Sequence, residues 1–177
     1  MRKKYPNKPK SAVKAIIKIA WEETEKGNKF CIATIGPCTN LALALWLEPE
    51  LASMIHKCYV MGGTNKGYGN ITLTAEYNFW ADPEAIKVVW SEIPFIHILP
   101  WEVADENKLV CEKFISEILP NSDQIIVDDK VSPAYILNEI NRINMAIDGY
   151  VYCCDGLAIA AAIGCLDCYP DTEEYRI

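Results

Sequence analysis

Two short apolar runs that end directly on glycine restrict the fold of this chain more than any other feature. Phe30 to Ile35 runs into Gly36-Pro37, and Lys57 to Met61 runs into Gly62-Gly63. Runs of this length that are apolar rather than alternating read as strands buried on both faces. Helical patterns surround them. Ser11 to Lys26 places Val13, Ile16, Ile17 and Ala20 on one face and is closed by Gly27. Thr39 or Asn40 caps a helix through Leu47, and a helical turn over Pro49 to Ile55 leads into the second strand. Asp82-Pro83-Glu84 then opens a helix with Asp as N-cap, Pro at the first helical position and Glu in the first turn. Pro94 to Leu99 reads as a third strand, and helices are expected over Leu109 to Leu119, Pro133 to about Ile147 and Leu157 to Ile163. Helices alternating with apolar strands predict an α/β fold with a mostly parallel sheet covered on both faces. Ligands bind such sheets beyond the carboxyl ends of the strands, and both glycine stretches lie there.

The second of them opens an unusual connection, Met61 to Ala85, with four glycines at 62, 63, 67 and 69. No Gly-Lys-Ser/Thr ends it, so it is not a phosphate-binding P-loop, and its glycines lack the spacing of a dinucleotide fingerprint. Its polar groups are Asn70, Glu76 and Asn78. If Ala75 to Phe79 is extended, Glu76 and Asn78 point to one side and Tyr77 to the other. A carboxylate and two amides on one spot suit sugar hydroxyls, which both donate and accept. Hydrogen bonds to their own loop backbone would account for the same residues equally well.

Charge and composition narrow the partners. A net charge of -7 argues against nucleic acid, because the one basic cluster is the leader at residues 1–10. The longest apolar runs are too short to span a bilayer, which excludes a membrane partner and implies a soluble chain. With 51% apolar residues in 177, one domain can bury a real core. Eight cysteines fall below disulfide-scaffold density, and Cys31, Cys38 and Cys58 in apolar segments read as reduced, buried thiols of a cytoplasmic protein. Cys153-Cys154 with Cys165 and Cys168 raises a rival zinc module, although adjacent cysteines point apart. Asp82 is explained by its cap, His56 by a helix-to-strand junction, and His97 by an apolar strand core. Asp155, before Gly156 and an Ala-rich helix, is either a further N-cap or a ligand for a hard cation.

Longer motifs join these pieces. IGPCTNLALAL (Ile35 to Leu45), VMGG (Val60 to Gly63), Gly69-Asn70, AEYNFWADPEA (Ala75 to Ala85) and CDGLA (Cys154 to Ala158) resemble, in order, the motifs of the calcium-dependent nucleoside hydrolases related to the inosine-uridine preferring enzymes. The resemblance is collinear from about Ser11 to Ala161 and implies a Rossmann-like open sheet flanked by helices. It implies hydrolysis of the N-glycosidic bond of a ribonucleoside, by a water activated on Ca2+ that attacks C1′ as the base departs. By position, Met61, Asn70, Glu76 and Asn78 would contact ribose, and Asp155 and the carbonyl of Ile35 would be calcium ligands. Homo-oligomers are expected for the complete protein.

Two departures qualify that expectation. The family's Asp-rich D-x-D-x-G-x-D-D motif, which supplies the other carboxylate ligands and the general base, has no counterpart in these residues; Asp128-Asp129 follows a different pattern. The chain therefore reads as one partial domain over residues 1–177, incomplete at the N-terminus and inactive alone. Cys154 stands where the family has the histidine that protonates the leaving base, and a thiol is a poorer donor to a purine nitrogen. A non-catalytic short form that binds ribose or a partner is the alternative.

Overall fold

A computed structural model describes residues 11–106, 109–110, 126–127 and 130–164. The chain forms two compact units, one built from the residues up to Glu102 together with those from Asp155 onward, the other from Val103–Cys154.

The first unit begins with α1 (Ala12–Glu25). Gly27, at φ +74°, turns the chain back so that the Gly27 and Asn28 N–H groups reach the carbonyls of Thr24 and Glu23, both at 2.9 Å. There follow β1 (Phe30–Thr34), α2 (Thr39–Leu47), α3 (Leu51–Met54), β2 (Ile55–Met61), α4 (Tyr77–Ala81), α5 (Pro83–Glu92), β3 (Ile96–Leu99) and α6 (Trp101–Glu106), the last running past Glu102. The strands form a parallel sheet in the order β1-β2-β3, with Thr34 opposite Val60 and Met61 opposite Leu99. Parallel neighbours require crossovers, and α2 with α3, then α5, supply them. Because α1 and α5 both pack on α2, the three make one layer. Cys58 and Val60 join Leu41, Leu45, Ile86 and Val89 in the core beneath that layer. Each fully buried branched side chain there contributes about 1.5–3 kcal/mol over its exposed state.

Tyr59 and Met61 alternate to the other face of β2 and are buried as well, so the central strand has both faces covered, as its apolar run predicts. The edge strand differs. Cys38 and Cys58 are buried, but Cys31 is exposed, a correction to its reading as a core thiol. Phe30 and Ile32 take the core side of β1, and pleating turns Cys31 to the opposite face, where β1 has a strand on one side alone among the described residues. His56 lies within β2 and is exposed. His97 is half-buried rather than a core residue, its ring stacked on Tyr59 at 4.7 Å. Burial and then the charge of Lys57 lower its pKa.

In the second unit, β4 (Leu109–Val110) pairs antiparallel with β7 (Tyr150–Val151), and β5 (Ile126–Val127) with β6 (Lys130–Val131). Leu109 and Val110 are thus strand, not the start of a helix; the remainder of that expected helix, residues 111–119, lies outside the described residues. A short apolar run has no intrinsic preference strong enough to resist a pairing partner. The helix α7 (Pro133–Asp148) follows its local signals. Ser132 Oγ accepts from Tyr135 N at 3.3 Å, Pro133 starts the first turn, and Gly149 ends it at φ +69°. Val151 is the buried centre of this unit, against Ala134, Met145 and Cys153. The last helix, α8 (Cys154–Ala162), starts three residues earlier than its apolar pattern suggests. Among the described residues no helix is long and apolar enough to cross a membrane.

Candidate active site

At the carboxyl end of β2 the chain passes through Gly62 and Gly63. Gly62 N donates to Leu99 O at 3.1 Å and Trp101 N to Gly63 O at 2.9 Å, so the segment stays tied to the end of β3. The ring of Phe79 lies directly against both glycines. A Cβ would come within 2.6 Å of it at Gly62 and 2.7 Å at Gly63, where φ is also +74°.

Glu76 holds this arrangement from the side. Its side chain is 2% exposed, yet its carboxylate is fully engaged with backbone donors. Oε1 accepts from Asn78 N at 2.9 Å, and Oε2 accepts from Gly63 N at 2.9 Å and Phe79 N at 3.2 Å. Glu76 is therefore the N-cap of α4, and the negative charge sits at the positive end of the turn. The extended path expected for Ala75 to Phe79 does not occur. Tyr77 to Ala81 is helical because the cap and the Asn70 Oδ1 acceptor, 2.8 Å from Tyr77 N, occupy donors that a strand would have sent to a neighbour.

Asn78 Nδ2 donates to the Met61 carbonyl at 3.1 Å and to its sulfur at 3.3 Å. These bonds assign the amide and leave Oδ1 as its acceptor end; for Asn70 the bond from Tyr77 N leaves Nδ2 as the donor end. Met61, Glu76 and Asn78 thus form one connected group, and Asn70 joins it through Tyr77. Asn70 is reached by a loop folded on itself. The N–H groups of Asn70 and Ile71 both meet the Ala75 carbonyl, and a Cβ at Gly69 would lie 2.3 Å from the backbone oxygens of Thr72 and Ala75.

Ile35 follows Thr34, which pairs with Val60, so its carbonyl is level with Met61 at the same end of the sheet. Asp155 lies in the first turn of α8 rather than capping it. Partial desolvation and then the charge of Glu76 raise its pKa above that of an ordinary aspartate, although the side chain remains accessible to water. A like charge nearby favours the protonated form of Asp155. The donors are hard oxygens of the kind calcium takes, but calcium takes six to eight. Glu76 has both oxygens committed, which leaves one carboxylate and one carbonyl. Among the described residues no group of three or more His, Cys, Asp or Glu could hold a metal ion, and these residues do not by themselves make a calcium site. Cys154 is the half-buried first residue of α8. Cys165, Cys168, Asp128 and Asp129 lie outside the described residues.

Other residues of the site carry no motif that identifies them in the sequence. Glu102, 7% exposed, receives Asn65 N at 3.1 Å and Lys66 N at 2.7 Å. The signal for it is positional, an acid just past the end of the third strand in Leu99-Pro100-Trp101-Glu102. Asp82 caps α5 as expected, accepting from Ala85 N at 3.0 Å, and its other oxygen takes the Thr39 hydroxyl, which joins the starts of α5 and α2.

The same architecture occurs in enzymes of known structure. The inosine-uridine preferring nucleoside hydrolase of Bacillus anthracis superposes with a TM-score of 0.72 at 27% identity, over 90% of this chain and 50% of that one. An inosine-guanosine nucleoside hydrolase gives 0.72 at 25% identity, over 86% and 47%. The pyrimidine-specific ribonucleoside hydrolase RihA of Escherichia coli is 44% identical over 73 residues, 41% of this chain and 23% of that protein. An uncharacterized protein of Schizosaccharomyces pombe is 37% identical over 92 residues, 51% and 29%. The chain thus spans about half the length of the solved relatives and about a quarter of the curated ones. A family model, inosine-uridine preferring nucleoside hydrolase, matches residues 2–176, and the chain belongs to that family.

Proposed function

We propose that this chain forms the ribose-binding wall of a nucleoside N-ribohydrolase, acting on a ribonucleoside to release base and ribose in the complete enzyme. The observation that carries this is the linked group of Met61, Glu76 and Asn78 at the carboxyl end of β2, with Asn70 beside it. Asn78 offers an acceptor through Oδ1 and Asn70 a donor through Nδ2, while Glu76, both oxygens bound to backbone, fixes the wall behind them. Ribose hydroxyls, each one donor and one acceptor, complement such a set. Positive charge develops at C1′ in the transition state of glycosyl hydrolysis, so a buried carboxylate gains strength as the bond breaks.

A calcium ion, when bound, would supply charge stabilisation and an activated water. Asp155 and the Ile35 carbonyl would hold part of its shell. Since these donors are too few among the described residues, our reading is that the 177-residue chain is inactive alone and needs further carboxylates. Cys154 in place of histidine leaves protonation of the base without a strong donor. The complete protein would be a cytoplasmic homo-oligomer. The alternative, a non-catalytic ribose- or partner-binding form, is favoured by the commitment of every Glu76 oxygen to backbone.

The test is ribose release from inosine and uridine by the purified chain with added Ca2+. None is expected; release that disappears in Asp155→Ala would overturn the inactive reading. In a chain completed with a D-x-D-x-G-x-D-D segment, Asn78→Ala should lower kcat more than it raises KM. A change in KM alone would place Asn78 in ground-state binding.

A further inference from the structure

Two buried glutamates, not one, hold the exit of β2. Glu76 takes the N–H of Gly63, and Glu102 takes those of Asn65 at 3.1 Å and Lys66 at 2.7 Å. Gly67 follows at φ +76°, and the backbone of Tyr68 adds to the forces that lower the Glu102 pKa. Successive N–H groups around a left-handed residue form a concave nest that accepts an anion. Here the anion is a side chain of the protein, delivered from the first turn of α6. The turn ends at Gly69, which begins the closed loop that presents Asn70.

We propose that Glu102 is a positioning residue for the sugar site: its carboxylate sets the path of the turn 65–68 and, through it, the place at which Asn70 is presented. The Asn65 and Lys66 side chains are exposed and Gly67 has none, so the turn faces inward with its backbone, and the buried acid of α6 is what that backbone meets. The carboxylate of Glu102 bonds to Asn65 and Lys66, not to Asn70, whose own side chain meets Tyr77 N. It acts through backbone. The inference rests on the ribose-binding reading only in what Asn70 is presented to.

Glu102→Gln in the 177-residue chain is the test. A glutamine keeps the size but turns an N–H toward the N–H groups of Asn65 or Lys66, leaving at least one donor unpaired. Amide exchange at Asn65, Lys66 and Tyr68 should accelerate about tenfold, the equivalent of one lost bond. Amides of β1 to β3 should be unchanged, and the Asn70 side-chain NH2 resonances should move. Glu102→Asp keeps an acceptor-only carboxylate on a shorter stem and should recover part of the protection. Unaltered exchange at the three amides, equal acceleration throughout the sheet, or Gln and Asp variants that behave alike would each overturn the proposal. Should neither variant fold, the unaltered chain decides. Its Asn65 and Lys66 amides must exchange as slowly as those of β2 although both residues are exposed, and fast exchange there refutes the clamp. Titration of the same samples with D-ribose is a separate arm. A wild-type chain that ignores ribose counts against the sugar-binding reading, while the amide data still decide the role of Glu102.

Discussion

Glu76 accepts a hydrogen bond from the backbone of Gly63, thirteen residues earlier, at 2.9 Å, and by that bond one carboxylate both caps α4 and locks the exit of β2. Its removal should be costly. Glu76→Ala leaves the N–H groups of Gly63, Asn78 and Phe79 without their acceptor, the first of them in a buried bond. We expect a loss of about 2–4 kcal/mol in urea unfolding, from orphaned donors each costing about 1–3 kcal/mol with partial relaxation. A loss below that of an ordinary cap, about 1 kcal/mol, would mean that water enters and replaces the carboxylate.

The glycines of the loop should rank by what surrounds them. Gly67 has open space where a methyl group would stand and only its φ of +76° to resist alanine, so Gly67→Ala should cost about 1–2 kcal/mol. At Gly69 a Cβ meets backbone oxygens at 2.3 Å, which cannot move without unfolding the loop. Gly69→Ala should therefore be the more damaging change, with lost amide protection from Asn70 to Ala75. Equal effects in thermal unfolding would show that the loop opens at little cost.

Asp155 and Glu102 should respond to pH with opposite sign. Partial desolvation and then Glu76 raise the Asp155 pKa, so the folded chain binds that proton more tightly than the unfolded one. Its contribution to stability is full below the unfolded pKa and is lost as pH rises through the folded one. For Glu102, burial works upward, but the N–H groups of Glu102 itself, Lys66, Asn65 and Tyr68 prevail and lower the pKa. Its contribution is present above the unfolded pKa and is lost as pH falls through the folded one. Asp155→Asn should raise Tm at neutral pH, and the gain should vanish in acid below the unfolded aspartate pKa. A lower Tm at neutral pH would reveal a cationic partner for Asp155 within the fold.

Thiol chemistry should separate the strands. Cys31 is exposed on β1, whereas burial and then the neighbouring Cys38 push the Cys58 thiol up to about 12 on β2. Since the thiolate is the reactive form, iodoacetamide at neutral pH should modify Cys31 rapidly and Cys58 only on unfolding. Peptide mass mapping over time checks this, and simultaneous labelling would mean that the sheet opens readily.

Much of the architecture follows from local signals. Asp82-Pro83-Glu84 and Ser132-Pro133 define helix starts because cap, fixed φ and donor acceptance act within four residues, and Gly27 and Gly149 define ends for the same reason. The apolar run of β2 predicts its burial, and the glycines that follow the strands mark the end of the sheet where a ligand is expected. Long-range contacts decided the rest. Leu109 and Val110 became a strand because Tyr150 and Val151 pair with them, a partner invisible in a two-residue run. Cys31 is exposed because β1 lies at the edge of the described sheet, and strand order is not encoded in the strand itself. Tyr77 to Ala81 is helical, against the extended path considered for Ala75 to Phe79, because Glu76 and Asn70 fold back to accept its first donors. Glu102 meets Asn65 and Lys66 across more than thirty residues, a closure that the parallel pairing of β2 with β3 makes possible. Short-range hydrogen-bond chemistry can be read residue by residue, whereas which carboxylate fills which nest depends on where two strands end together in space.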